Sequence, residues 1–280
     1  MSRKDWHRPD KEQIQKSIEL RRIAMKVAYK GTNFVGWQTQ LSGRSVQQEL
    51  EKSIFLMLGE EVKVQGSGRT DSGVHAMGQV CHFDIKNTTI PVRAFKYGMK
   101  IPKDISILDC WEPEDVFHAR FTAMAREYKY FFKQNSDFVC FQEGLVTKIR
   151  KFPSLGLMNS YAEFVKGTHD FSTFTASGDS SISHFRDVYE SVFSMEKDIY
   201  GKPVMVYTIS GNAFLYKMVR SLVGTMMVLG QRNEKAESFK EILDSKDRSR
   251  ALLTAESQGL YLWRISYDSE EYRWFEDESE

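Results

Sequence analysis

Residues 66–75 read Gly66-Ser67-Gly68-Arg69-Thr70-Asp71-Ser72-Gly73-Val74-His75. This stretch, "GSGRTDSGVH", decides between two architectures. A glycine-rich loop that leaves a strand and opens a helix begins many phosphate-binding α/β proteins, but the G-K-[ST] ending of such a loop is missing here. Residues 61–64 and 79–85, on either side, have the apolar, β-rich pattern of strands. The loop therefore joins strand to strand, which implies antiparallel pairing and an α+β chain. Its three glycines allow another backbone to come close. Asp71 has two readings at this point: a side chain that accepts backbone N–H groups inside a tight turn, or a reactive carboxylate on a functional loop. The loop alone fits both.

Toward the N-terminus, Ile23, Met25, Val27 and Tyr29 alternate with Ala24, Lys26, Ala28 and Lys30. That is the period of a strand with one buried face. Ser45 followed by Gln48 forms a capping box. Val46, Leu50, Ile54 and Leu58 then lie on one helical face, and Gly59 ends the helix. Toward the C-terminus the pattern predicts a strand over 127–133, a helix over 155–166, and a hairpin of 186–197 and 203–210 around "DIYGK". A helix over 214–229 and a last strand in "GLYLWRISYD" follow. The order strand, helix, strands thus occurs twice. It predicts an α+β protein of two similar halves, each an antiparallel sheet with helices on one face. The expected divisions are a basic arm (1–22), an N-terminal half carrying the Asp71 loop (23–113), a C-terminal half (114–267) and an acidic tail (268–280).

The 280 residues, 41% of them hydrophobic, suffice for a substantial core. No run of eighteen apolar residues occurs, since Lys217 and Arg220 interrupt the best candidate. The first residues lack an apolar leader segment, so the expected location is the cytoplasm. Cys81, Cys110 and Cys140 form no C-x-x-C pair and encode neither a disulfide framework nor a zinc ribbon. The net charge of +1 conceals an uneven distribution: residues 1–22 carry seven Lys and Arg against four Asp and Glu, and residues 268–280 carry one against seven. The remaining body is mildly basic, which permits a polyanionic partner without requiring one.

Arg220 stands inside the apolar span Leu215, Met218, Val219, Leu222, Val223, Met226 and Leu229, so it is expected to be buried with a partner or to reach solvent beside Lys217. Cys81 and His82 are strand neighbours that point to opposite faces, an arrangement unsuited to sharing a metal with His75. Arg93, Lys96 and Lys100 are spaced to share one face of a short helix, with Lys103 beyond. Lys26, Lys30, Arg120, Arg126, Lys129 and Lys133 lie on strands or at their ends among Tyr128, Tyr130 and Phe131. Such mixtures bind nucleic acid by neutralising phosphates and stacking bases, and they equally describe a sheet with one wet face.

Six segments, in this order, resemble the TruA family of tRNA pseudouridine synthases: "GTNFVGWQTQ" (31–40), "SVQQELEKSI" (45–54), "GSGRTDSGVHAMGQVCHF" (66–83), "FHARFTAMAREYKYFF" (117–132), "GTHDFSTF" (167–174) and "GNAFLYKMVRSLVGTM" (211–226). The resemblance runs from about residue 23 to residue 267. It implies a pseudouridine-synthase fold with a central cleft and isomerisation of uridine to pseudouridine in tRNA. It further implies no metal or organic cofactor, and a homodimer acting on uridines 38, 39 and 40 of the anticodon stem-loop. By the same resemblance Asp71 is the essential catalytic group and Tyr128 stacks on the target uracil. Arg220 is the ion-pair partner of Asp71, and Arg69 assists nucleotide flipping. Arg93, Lys96, Lys100 and Arg126 are the expected substrate-binding cations.

The chain departs from the family pattern at Ser67 and Ser72, where alanines are usual, and at "TAESQGLYL" in place of "APAxGLYL". It departs again at "YGMKIPKDI" in place of "LNxxLPxDI". Two other functions compete with an isomerase. A catalytically inactive RNA-binding protein or tRNA chaperone would have no need of a carboxylate set among RNA phosphates, and an N-glycosidase would release free uracil.

Overall fold

The computed structural model describes residues 20–267 except 87 and 115. Most of the expected basic arm and all of the acidic tail lie outside the described residues. The chain forms two compact units. The first takes in the described residues up to Ser72 together with Ala76–Ala123, and the second takes in Gly73–His75 and the described residues from Met124 onward.

In the first unit β1 (Arg21–Tyr29) lies between β3 (His75–Ile85) and β4 (Ile105–Trp111), antiparallel to both. Ala24, expected on the wet face, is fully buried like Ile23 and Met25. β1, paired on both edges, is also buried on both faces at this end, and of its residues only Lys26 is exposed. Helix α1 (Val46–Leu58) starts where expected: the Ser45 hydroxyl accepts the Gln48 N–H at 3.3 Å, and Gly59 closes the helix at φ 71°. Val46, Leu50 and Ile54 are fully buried, an apolar stripe of the kind that holds a helix to its sheet.

Residues 61–64 do not form the expected strand. The Val64 N–H donates to Glu51 Oε1 (3.0 Å) instead of to a neighbouring strand, and the strand of this segment is the two-residue β2 (Gln65–Gly66), paired with β3 opposite His82 and Cys81. Helix α2 is also shorter than the lysine spacing suggests. It spans Arg93–Tyr97, so Lys100 stands beyond its end at Gly98.

In the second unit the strands run in the order β10 (Leu260–Ser266), β5 (Ala125–Gln134), β9 (Pro203–Gly211), β8 (Phe185–Lys197), β7 (Gly167–Asp170), all antiparallel neighbours. The expected hairpin is present, with Lys197 opposite Pro203. One parallel pair departs from the antiparallel expectation: β6 (Thr147–Ile149) joins β5 at Phe132–Gln134, beyond the stretch that β10 covers. Helix α3 spans Leu155–Glu163. Helix α4 begins only at Met218 and runs to Arg232, followed by α5 (Ala236–Asp244). Residues 214–217 fall outside α4 because Lys217 adopts a left-handed conformation (φ 58°) and Phe214 packs edge-on against Tyr128. Their apolar period reports packing on the sheet, not a helical turn. No helix among the described residues is long and apolar enough to cross a membrane.

Candidate active site

Asp71 sits half-buried on the loop between β2 and β3, and its neighbours are fastened to the first unit. The Ser67 N–H donates to Val80 O (2.8 Å), and its buried hydroxyl donates to Gln79 Oε1 (2.5 Å). Gln79 in turn donates to Gly68 O (2.8 Å). One position beyond Arg69, Thr70 is gripped twice: its carbonyl accepts the Trp37 N–H (3.1 Å), and its hydroxyl bonds the buried Tyr29 hydroxyl (2.8 Å). The Trp37 indole lies against Gly66, where an added Cβ would come within 2.5 Å of the ring. Ser72 Oγ donates to Phe34 O (3.3 Å). The segment "GTNFVGWQ" is therefore the bed of the loop, which its sequence does not announce. A carboxylate fixed in this way loses little entropy on engaging a substrate.

Arg69 is exposed on the same loop. Burial and the repulsion of Arg69 hold the Arg120 guanidinium below its ordinary pKa, so the two cations share one neighbourhood. The backbone carrying Arg120 is held by two buried histidines. His82 Nδ1 accepts the Ala119 N–H (3.2 Å), and His118 Nδ1 accepts the N–H groups of Arg120 (3.1 Å) and Phe121 (3.3 Å). The two rings meet edge to face at 4.5 Å. Burial lowers the pKa of both, to about 3 for His82, helped by repulsion from His118 and Arg22, and to about 4 for His118, helped by repulsion from Arg22. Both are thus neutral acceptors at pH 7. Cys81 is buried, and burial raises its thiol pKa. Arg93 and Lys100 are exposed and Lys96 is half-buried, its ammonium 5.5 Å from the exposed Tyr97 ring.

The second unit carries the remaining expected residues. Arg126 and Tyr128 lie two apart on β5 and so project from one face. Tyr128 is 9% exposed and meets the Phe214 ring at 5.2 Å with an interplanar angle of 86°. Arg126 is buried, and its Nη1 donates to Asn212 O (2.7 Å). Asn212 itself exchanges hydrogen bonds with Asp187. Arg220, read as either buried with a partner or reaching solvent beside Lys217, is half-buried near the N-terminal end of α4, and its Nε donates to Ala255 O at 2.8 Å. At "TAESQGLYL", where this chain departs from the family pattern, the Tyr130 hydroxyl donates to Glu256 O (2.7 Å). Gly73 has φ +78° and lies against Ser257 Oγ, so a side chain there would meet both backbone strain and a clash. His75 stacks on Tyr261 at 4.5 Å.

Lys133 does not belong with the nucleic-acid cations. It is fully buried, with Nζ 2.5 Å from Asp198 Oδ2, which also accepts from Gln142 (2.8 Å). Lys129 lies 4.8 Å from the Trp263 ring.

The first unit thus holds a carboxylate on a tethered loop that also carries Arg69, and the second unit holds Tyr128, Arg126 and Arg220. The chain belongs to the tRNA pseudouridine synthase family, whose pattern it matches over residues 25–122 and 162–268. It is 38% identical over 258 residues to tRNA pseudouridine synthase A of Treponema denticola, covering 90% of this chain and 94% of that one. It is equally similar, at 38% identity, to the proteins of the same name from Anoxybacillus flavithermus (253 residues; 89% of this chain, 100% of that one) and Ligilactobacillus salivarius (255 residues; 89% and 98%).

Proposed function

We propose that this protein isomerises uridine to pseudouridine in tRNA, at positions 38, 39 and/or 40 of the anticodon stem-loop, and that it works as a cytoplasmic homodimer. The reading is carried by Asp71, a carboxylate at the centre of a loop whose flanking residues are each tied down, inside the motif that the family shares. The reaction breaks the C1′–N1 bond, turns the uracil, joins C5 to C1′, and releases the C5 proton while the freed N1 takes one up. Asp71 serves either as the nucleophile at C1′ or as the base that removes a ribose proton, and both routes need it ionised. Arg220 is assigned as the cation that keeps it so, with a planar fork that a lysine cannot reproduce. Tyr128 is assigned to the flipped uracil, whose unstacking costs a few kcal/mol that stacking on an aromatic ring offsets. Arg69 assists flipping, and Arg93, Lys96, Lys100 and Arg126 serve the RNA backbone.

The test uses tRNA transcripts tritiated at uridine C5. The wild-type protein is expected to release tritium without free uracil, and Asp71→Asn to release none while still binding tRNA. Equal release by the two proteins would remove Asp71 from the chemistry, and free uracil would make the protein a glycosidase.

A further inference from the structure

The face of α4 that carries Arg220 is lined by polar and small side chains at 220, 221, 224 and 225, an i, i+1, i+4, i+5 set on one side of a helix. Residues 252–255 lie along it as a strap. The clasp at Ala255 is reciprocal: its N–H donates to Arg220 O (3.0 Å), and its carbonyl accepts from Arg220 Nε (2.8 Å). At the other end Leu252 N–H donates to the buried Thr225 Oγ1 (3.2 Å). Between them the strap approaches so closely that a Cβ on Gly224 would run into Leu253 O. In the middle stands Thr254. Its Oγ1 accepts from Arg248 Nη2 (3.1 Å) and bonds the hydroxyl of the fully buried Ser221 (3.3 Å). Arg248 can only donate, so the hydroxyl proton of Thr254 remains available to Ser221.

Of the strap's apolar side chains Ala255 is buried, whereas Leu252 and Leu253 are 42% and 52% exposed, so packing anchors one end only. The polar contacts fix it. A guanidinium whose Nε–H is bonded to a fixed carbonyl is restrained from turning its plane, and the plane sets where its two terminal nitrogens point. Active-site groups tolerate only about 10–20° of misorientation.

We propose that Thr254 is a positioning residue for Arg220: by tying Arg248 to Ser221 it locks the strap whose Ala255 carbonyl aims the guanidinium. The proposal rests on the role given to Arg220 in the proposed isomerisation. Thr254→Val keeps the side-chain shape and removes the hydroxyl, whereas Thr254→Ser keeps the hydroxyl.

The experiment measures tritium release under saturating and limiting tRNA, and the exchange of the Arg220 Nε–H by NMR of arginine-labelled protein. Thr254→Val is expected to lower kcat about tenfold with KM within about twofold, and to speed Nε–H exchange by a similar factor. Thr254→Ser is expected to restore both. Ser221→Ala, which breaks the same link from the helix side, is expected to reproduce the Val pattern. Wild-type kcat and exchange in Thr254→Val would overturn the proposal, as would Val and Ser variants that fall together, which is the mark of packing alone. If the wild-type protein releases no tritium the isomerase reading falls, and the exchange of Arg220 Nε–H still decides whether Thr254 holds it.

Discussion

The pair His82 and His118 makes a prediction whose size follows from their surroundings. Each ring accepts backbone N–H groups through Nδ1, which an imidazolium cannot do, and burial lowers the pKa values to about 3 and about 4. The unfolded chain binds a proton on each near pH 6.5. Between those values the unfolded state holds more protons than the native state, so stability falls as pH falls. The stabilisation is fully present above about 6.5 and declines until the pH reaches the folded-state values. For each ring the loss from pH 7 to pH 5 is about 2 kcal/mol, and for the pair about 4 kcal/mol. His82→Gln retains an acceptor and cannot protonate. Urea unfolding followed by circular dichroism at pH 7, 6 and 5 should show the variant losing about 2 kcal/mol less than wild type over that range. Parallel stability profiles for the two proteins would refute the reasoning, because they would mean that His82 titrates alike in the folded and unfolded chain.

Lys133→Met leaves Asp198 facing a buried site without its cation, and should cost about 3–5 kcal/mol in urea unfolding while leaving the salt dependence of tRNA binding unchanged. Weaker tRNA binding at undiminished stability would return Lys133 to the RNA interface. Ser67→Ala installs the residue usual in the family but strands the buried Gln79 Oε1, and a loss of about 1–3 kcal/mol is expected. A variant as stable as wild type would show that Gln79 finds another partner. Tyr128→Phe should keep tRNA affinity, and if the phenol also takes part in the proton transfer from C5, tritium release should slow by about a hundredfold, the scale of a lost proton-transfer group. An unchanged rate would confine Tyr128 to stacking.

The parts of this protein that are legible in the sequence are those whose causes lie within a short span of chain. The Ser45 cap and the Gly59 stop bracket one helix. The hairpin at 198–202 closes on Asp198, whose carboxylate accepts the N–H groups of Tyr200 (2.9 Å) and Lys202 (2.8 Å). The strand that follows "GSGRTDSGVH" is legible in the pattern at 79–85, whereas residues 61–64 before it carry a strand pattern and form none, with pairing confined to Gln65–Gly66. What only the tertiary structure decided involves residues far apart in the chain. Lys133 reads like any strand lysine until Asp198, 65 positions away, takes it into the core. Residues 214–217 continue the helical period, yet Phe214 is drawn to Tyr128 on β5 instead. Thr254 has no local signature, and its importance arises from Ser221, 33 positions earlier. Periodicity and capping are local free energies that the sequence displays directly, whereas burial, pairing and the aim of a guanidinium depend on which distant side chains folding brings alongside.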